Sequence, residues 1–182
     1  TASRPGFQSH TYGTQAVNEG VQNKLNFTLP YSHSKIGFHI VIGARNGYGP
    51  FLQQTSSCGK PVAIIKCVDD MSPAVEAKSY SQATLTVGRY INCGSWNVEN
   101  LGAWGGSAAS VAAQVYPCLK ALWLEHPEID VWELCNEWDS DYAWQADYYI
   151  AMMDLAEPDG FRLALWSSSV GTPSEHVYPD VA

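Results

Sequence analysis

The sequence predicts an α/β protein built on a parallel sheet, and three observations carry that prediction. Apolar runs of strand length alternate with helical stretches five times from residue 35 onward. The strand segments are apolar on both faces, as parallel strands covered on both sides are. Each strand segment also runs into polar or aromatic residues, the place where parallel α/β proteins carry their working groups.

Residues 1–34 are polar and rich in Gly, Ser, Asn and Gln, without sustained periodicity. They read as an irregular N-terminal arm with one short strand over 25–29, and the α/β portion runs from 35 to 182. Residues 36–42 form the first predicted strand. Residues 43–49 form a loop by their Gly and Asn-Gly content. A short helix over 50–57 has Pro50 at a tolerated first-turn position and Gly59 as its C-terminal stop. The second strand, 61–68, ends at Asp69-Asp70. The second helix covers 72–78, with Ser72 as N-cap and Pro73 in the first turn. A third strand over 83–89 is followed by a long loop, 90–106, that holds Trp96 and Trp104. Residues 107–125 are helical by composition, and Pro117 should kink or split that helix. The fourth strand is 129–135. The fourth helix is 142–156, stopped by Pro158 and Gly160, and the fifth strand is 162–166. Right-handed crossovers then allow an open doubly wound sheet or a closed barrel.

Composition narrows the function. With 46% hydrophobic and 15% charged residues the chain is globular, not disordered. The net charge of −8 and the scatter of Lys and Arg exclude a nucleic-acid surface, which needs clustered positive charge, and disfavour an anionic membrane. No apolar run reaches the roughly 20 residues that span a bilayer. Residues 1–6 lead into no hydrophobic stretch, so no signal peptide is read; a processed secreted chain has the same look. The five cysteines are odd in number and contain no C-x-x-C, which argues against a zinc site. They are expected as buried free thiols, Cys67 and Cys135 within strands, rather than as a disulfide network. Residues 26–28 fit the N-glycosylation tripeptide, a pattern common by chance. His39, inside the first strand, reads as a hydrogen-bonded core residue, and His33 with His39 makes no metal site. Residues 43–49 match neither the dinucleotide fingerprint nor a Walker A loop, and no G-x-S-x-G elbow occurs. No metal and no cofactor is expected.

The strand-end rule selects Asp69, Asp70, Arg89, Asn136, Glu137 and residues 166–169. Strand alternation sends Glu133, Cys135 and Glu137 to one face and Trp132, Leu134 and Asn136 to the other. Glu133 lies deeper than Glu137, where a carboxylate needs a partner such as Arg89 or Lys66. Alone, Asn-Glu is a dipeptide of surface turns; at the end of an apolar fourth strand it stands where barrels keep catalytic residues.

The segment Trp132-Glu-Leu-Cys-Asn-Glu137 resembles the fourth-strand signature of the clan of retaining glycoside hydrolases that includes many cellulases, mannanases and xylosidases. The resemblance implies a TIM-type (β/α) barrel. About five of its β/α units fit here, whereas a complete barrel takes about 250 residues, so the expectation is part of a longer protein or an incomplete barrel. It implies Glu137 as general acid/base, Asn136 as the residue holding the sugar hydroxyl beside the anomeric carbon, and Arg89 as a flanking polar residue. Two departures stand beside it. Trp138 occupies the place of the clan's usual Pro, and the clan's nucleophile, a Glu ending strand seven, has no counterpart here.

Such chemistry needs a second carboxyl, roughly 5–5.5 Å away for retention or 6.5–9.5 Å for inversion. Asp69, Asp70, Asp139 and Asp141 are the candidates. Trp96, Trp104, Trp138 and Trp166 are candidate sugar platforms, while Trp123 and Trp144, on helices, read as packing residues. The expected function is hydrolysis of a β-linked poly- or oligosaccharide, outside the cell, with self-association if the chain is complete. The alternative is a non-catalytic carbohydrate-binding or structural assembly protein on a degenerate barrel.

Overall fold

A computed structural model of the chain describes residues 37–41, 45–101, 105–138, 141–165 and 167, all within the unit Tyr31–Ala182. The expected arm over 1–34 with its strand at 25–29, and Trp104, Asp139 and Trp166, lie outside the described residues.

Among the described residues the fold is mixed α/β. Five strands form one parallel sheet: β1 Gly37–Val41, β2 Ile64–Val68, β3 Leu85–Arg89, β6 Val131–Glu133 and β7 Leu163–Ala164. Four helices connect and cover them: α1 Tyr48–Ser57, α2 Ser72–Tyr80, α3 Ala108–Leu124 and α4 Tyr142–Ala156. Two further strands, β4 Asn92–Cys93 and β5 Trp96–Asn97, form an antiparallel hairpin inside what the sequence presents as loop. The order across the parallel sheet is β1-β2-β3-β6-β7, so each strand lies beside its predecessor. Among the described strands the order contains no reversal of the kind that marks a doubly wound sheet.

Alternation along the strands divides the sheet into two faces. Ile40, Ile65, Cys67, Thr86 and Trp132 are buried with the helices. There Trp132 stacks between Trp123 of α3, ring centres 5.5 Å apart, and Tyr90, 5.8 Å away. This explains the glycine in β3: a Cβ on Gly88 would come within 2.5 Å of the Trp132 ring and 3.0 Å of the Met71 sulfur. The other face carries Val41 and Ile64, both exposed, together with Lys66, Arg89 and Glu133.

Several local expectations need adjustment. The fourth helix lies where its pattern put it. The first starts at Tyr48, whose hydroxyl donates to the Pro73 carbonyl at 2.8 Å. Ser72 is the first helical residue of α2 and not its cap; the Asp70 carboxylate takes that role, accepting from the Ser72 backbone N–H at 3.0 Å. Pro117 does not divide α3, which runs through it as one helix of 17 residues, its N-cap Ser107 accepting from Ser110 N–H. The strand β6 stops at Glu133, two residues early, and Asn136 rejoins the sheet as an isolated parallel bridge to Ser167.

The expectation that all cysteines are free thiols fails for one pair. Cys93 and Cys118 form a disulfide that latches the β4–β5 hairpin to α3. Their Cα atoms are 5.9 Å apart although 25 residues separate them, a proximity that only tertiary packing creates. Cys67 and Cys135 are buried and free, as expected, and Cys58 is exposed. Burial pushes the Cys67 thiol up to about 12 and the Cys135 thiol up to about 11, which leaves both protonated and unreactive. Among the described residues no helix is long and apolar enough to cross a membrane.

Candidate functional site at the strand ends

The carboxyl ends of β2, β3, β6 and β7 are tied together by one buried carboxylate. The Glu133 side chain is only 2% exposed. Its Oε1 lies 2.7 Å from Lys66 Nζ of β2 and accepts a hydrogen bond from the Ser167 hydroxyl, just past β7. Its Oε2 lies 3.3 Å from Arg89 Nε of β3. Neither of those two atoms makes an aligned hydrogen bond, so this contact is coulombic and not a directional bond. Arg89 in turn donates through Nη1 to Glu99 Oε1, in the loop after β5. The result is a row of alternating charge, Glu99–Arg89–Glu133–Lys66, in which each buried ion has an opposite neighbour.

Lys66 also reaches the candidate site, with Nζ 3.3 Å from Asn136 Oδ1. Asn136 is half-buried and Glu137, next to it, is exposed. Glu137 has φ of 54°, a left-handed backbone that costs a non-glycine residue about 1–3 kcal/mol. The bond from its N–H to the Ser167 carbonyl, 2.7 Å, helps hold that conformation. The simple alternation expected over 133–137 is lost here. Asn136 shares Lys66 with Glu133, while the Cys135 thiol lies 2.6 Å from the Tyr149 hydroxyl of α4. The strand ends at Glu133, so the two-residue period no longer holds beyond it.

The other candidates fall into place by their contacts. Arg89 pairs with Glu99 and Glu133, the contacts of a core partner. Asp69, with φ of 59°, accepts from Ile91 N–H at 2.8 Å, while its own N–H donates to the Arg89 carbonyl at 2.9 Å. It thus lashes the end of β2 to the turn after β3. Asp70 pairs with Arg45 at 2.7 Å and caps α2; hydrogen bonds from Ser72, then the Arg45 charge, hold its carboxyl below the usual range. Asp141 is the exposed N-cap residue of α4, with φ of 51°.

Among the aromatic candidates, Trp96 is half-buried in β5 against the core. Trp138 is half-buried, 5.4 Å from Trp144 and tilted 51° to it. Trp144 stacks on Tyr148 at 5.5 Å, so these rings form a short aromatic row. Trp123 packs under the sheet as expected. His39 does not: it is exposed on the face opposite the helices, in register with Lys66. Desolvation, then the Lys66 and Arg89 charges, hold its imidazole below the ordinary value. Sequence reasoning missed Glu99. The signal available was charge balance, since a buried Arg89 facing one carboxylate has donors left for a second. No group of three or more His, Cys, Asp or Glu among the described residues is arranged to hold a metal ion.

No protein-family model, curated protein or solved structure matches the chain.

Proposed function

We propose that the chain is a glycoside hydrolase acting on a β-linked poly- or oligosaccharide, with Glu137 as general acid/base. The observation that carries this reading is the tip of the fourth parallel strand. An exposed carboxylate stands there in left-handed backbone, beside a carboxamide anchored to a buried charge network. Strained non-glycine backbone persists where its surroundings over-determine it, and it gathers at functional sites. In the proposed mechanism Glu137 protonates the leaving oxygen as a second carboxylate, not assigned among the described residues, bonds to the anomeric carbon; Glu137 then takes the proton of the water that displaces that carboxylate. Asn136 binds the neighbouring hydroxyl, and Trp96 and Trp138 hold sugar rings, with Trp104 and Trp166 in the same role. The sequential order of the five described parallel strands is compatible with a (β/α) barrel, and the proposal includes such a barrel as the complete fold. The Cys93–Cys118 disulfide supports an extracellular setting, since such bonds persist in oxidising compartments.

The test is hydrolysis of cello-, manno- and xylo-oligosaccharides by the wild type and Glu137→Gln, with product analysis and a check of folding. Turnover of one series by the wild type, abolished in a folded Glu137→Gln, is the expected result. A wild type inert on every series, despite correct folding, sinks the enzyme reading.

One observation favours a second reading, a carbohydrate-binding protein without turnover. Asp69 and Asp70 both make structural contacts, which weighs against either as the second carboxyl. Oligosaccharide binding without any product would establish that alternative.

A further inference from the structure

We propose that Lys66 is a positioning residue for Asn136, setting which end of its carboxamide faces inward and which is offered to a ligand. The oxygen and nitrogen of a carboxamide have nearly the same shape, so packing alone does not choose between its two orientations. A lysine ammonium has three donors and no acceptor. The Asn136 atom 3.3 Å from Lys66 Nζ must therefore be the oxygen, which turns the NH2 group away from the ammonium. The ammonium is itself fixed by Glu133 Oε1 at 2.7 Å. Glu133 is held in turn by the Ser167 hydroxyl and the Arg89 guanidinium. The carboxamide orientation is thereby traced through one lysine to a carboxylate that is almost wholly buried. The consequence is selectivity: Asn136 presents donors, and so recognises an acceptor oxygen such as a sugar hydroxyl. The identity of the ligand rests on the glycosidase reading; the orientation of Asn136 does not.

The experiment follows the Asn136 side-chain amide resonances in nitrogen-15-labelled protein, comparing wild type, Lys66→Met, Glu133→Gln and the double variant. The Asn136 pair should shift and exchange faster with water in Lys66→Met, and should move by less in Glu133→Gln, where the ammonium remains but loses its anchor. Lys66→Met leaves Glu133 without its lysine; if that variant does not fold, Lys66→Met/Glu133→Gln removes both charges and gives the same readout. Asn136 resonances unchanged on loss of Lys66, or moved further by Glu133→Gln than by Lys66→Met, overturn the proposal, because the orientation would then not run through Lys66. With cellohexaose as the probe, Lys66→Met should lose on the order of tenfold to a hundredfold in kcat/KM, the scale of effect of a misplaced substrate contact. A wild type inert on the whole sugar panel counts against the glycosidase reading, while the resonances judge the positioning claim separately.

Discussion

Ile65 and Lys66 are neighbours in β2, yet they belong to different regimes. Ile65 is fully buried under the helices with Cys67, Trp132 and Trp123, in a face held by apolar contact and ring stacking. Lys66 faces the other way, to a surface where Val41 and Ile64 stay exposed and the buried groups are ions. The helix face is dominated by apolar and aromatic side chains. The opposite face is organised around charges that hold one another. The comparison shows where specificity sits: the apolar face makes the sheet stable, and the charged face decides how the strand ends are held relative to each other.

The largest effects should come from breaking each face in its own way. Trp123→Ala should cost about 3–5 kcal/mol in chemical denaturation, by lost burial and the cavity left behind. Glu133→Ala should cost a similar amount, about 3–5 kcal/mol, but because it strands Lys66 and Arg89 without their shared carboxylate. The two regimes separate in a double variant. Lys66→Met/Glu133→Gln should be clearly less costly than Glu133→Ala, while no second substitution that merely removes charge rescues Trp123→Ala.

A smaller effect tests the latch between the hairpin and α3. Replacing Cys93 and Cys118 by Ser should lower stability by about 3 kcal/mol, from the entropy returned to the unfolded loop. Reductant should reproduce the loss in the wild type and have no further effect on the variant. Smaller still is the strain at the strand tip. Glu137→Gly and Glu137→Ala both delete the carboxylate, but only Gly relieves a φ of 54°, so Gly should be the more stable of the two by about 1 kcal/mol. Equal stabilities would mean the left-handed backbone relaxes in solution.

The smallest expected effect concerns pH. The Asp70 carboxyl is held below its ordinary value in the folded chain by Ser72 and Arg45. Its contribution is therefore complete above about pH 4 and fades as pH falls through the folded value. Asp70→Asn should flatten the acid limb of the stability curve and leave its neutral plateau with only a modest loss.

The apolar face was legible in the sequence because its signal is local. Runs such as 61–68 and 129–135 announce strands, and α4 was bounded correctly by its own pattern and by Pro158 and Gly160. The charged face was legible only in part. A carboxylate at Glu133 inside an apolar run demanded a partner, and both named candidates, Arg89 and Lys66, are present. Glu99 and the Lys66–Asn136 contact were not foreseen, since both depend on which strand ends come together and neither leaves a local pattern. The same reason hid the Cys93–Cys118 bond. The loss of alternation after Glu133 was invisible because the residues from Leu134 to Asn136 are compatible with a continued strand; only the bridge from Asn136 to Ser167 reveals the break.

Varying the leaving group separates a Glu137 that delivers a proton to the glycosidic oxygen from one that does not. A dinitrophenyl β-glycoside departs without protonation, whereas a sugar leaving group needs it. The account predicts that Glu137→Ala loses nearly all activity on cellohexaose or the corresponding active oligosaccharide, yet retains a far larger fraction of cleavage of the dinitrophenyl glycoside of the same sugar. Equal losses on both substrates, in a folded variant, would contradict the assignment of Glu137 as the acid.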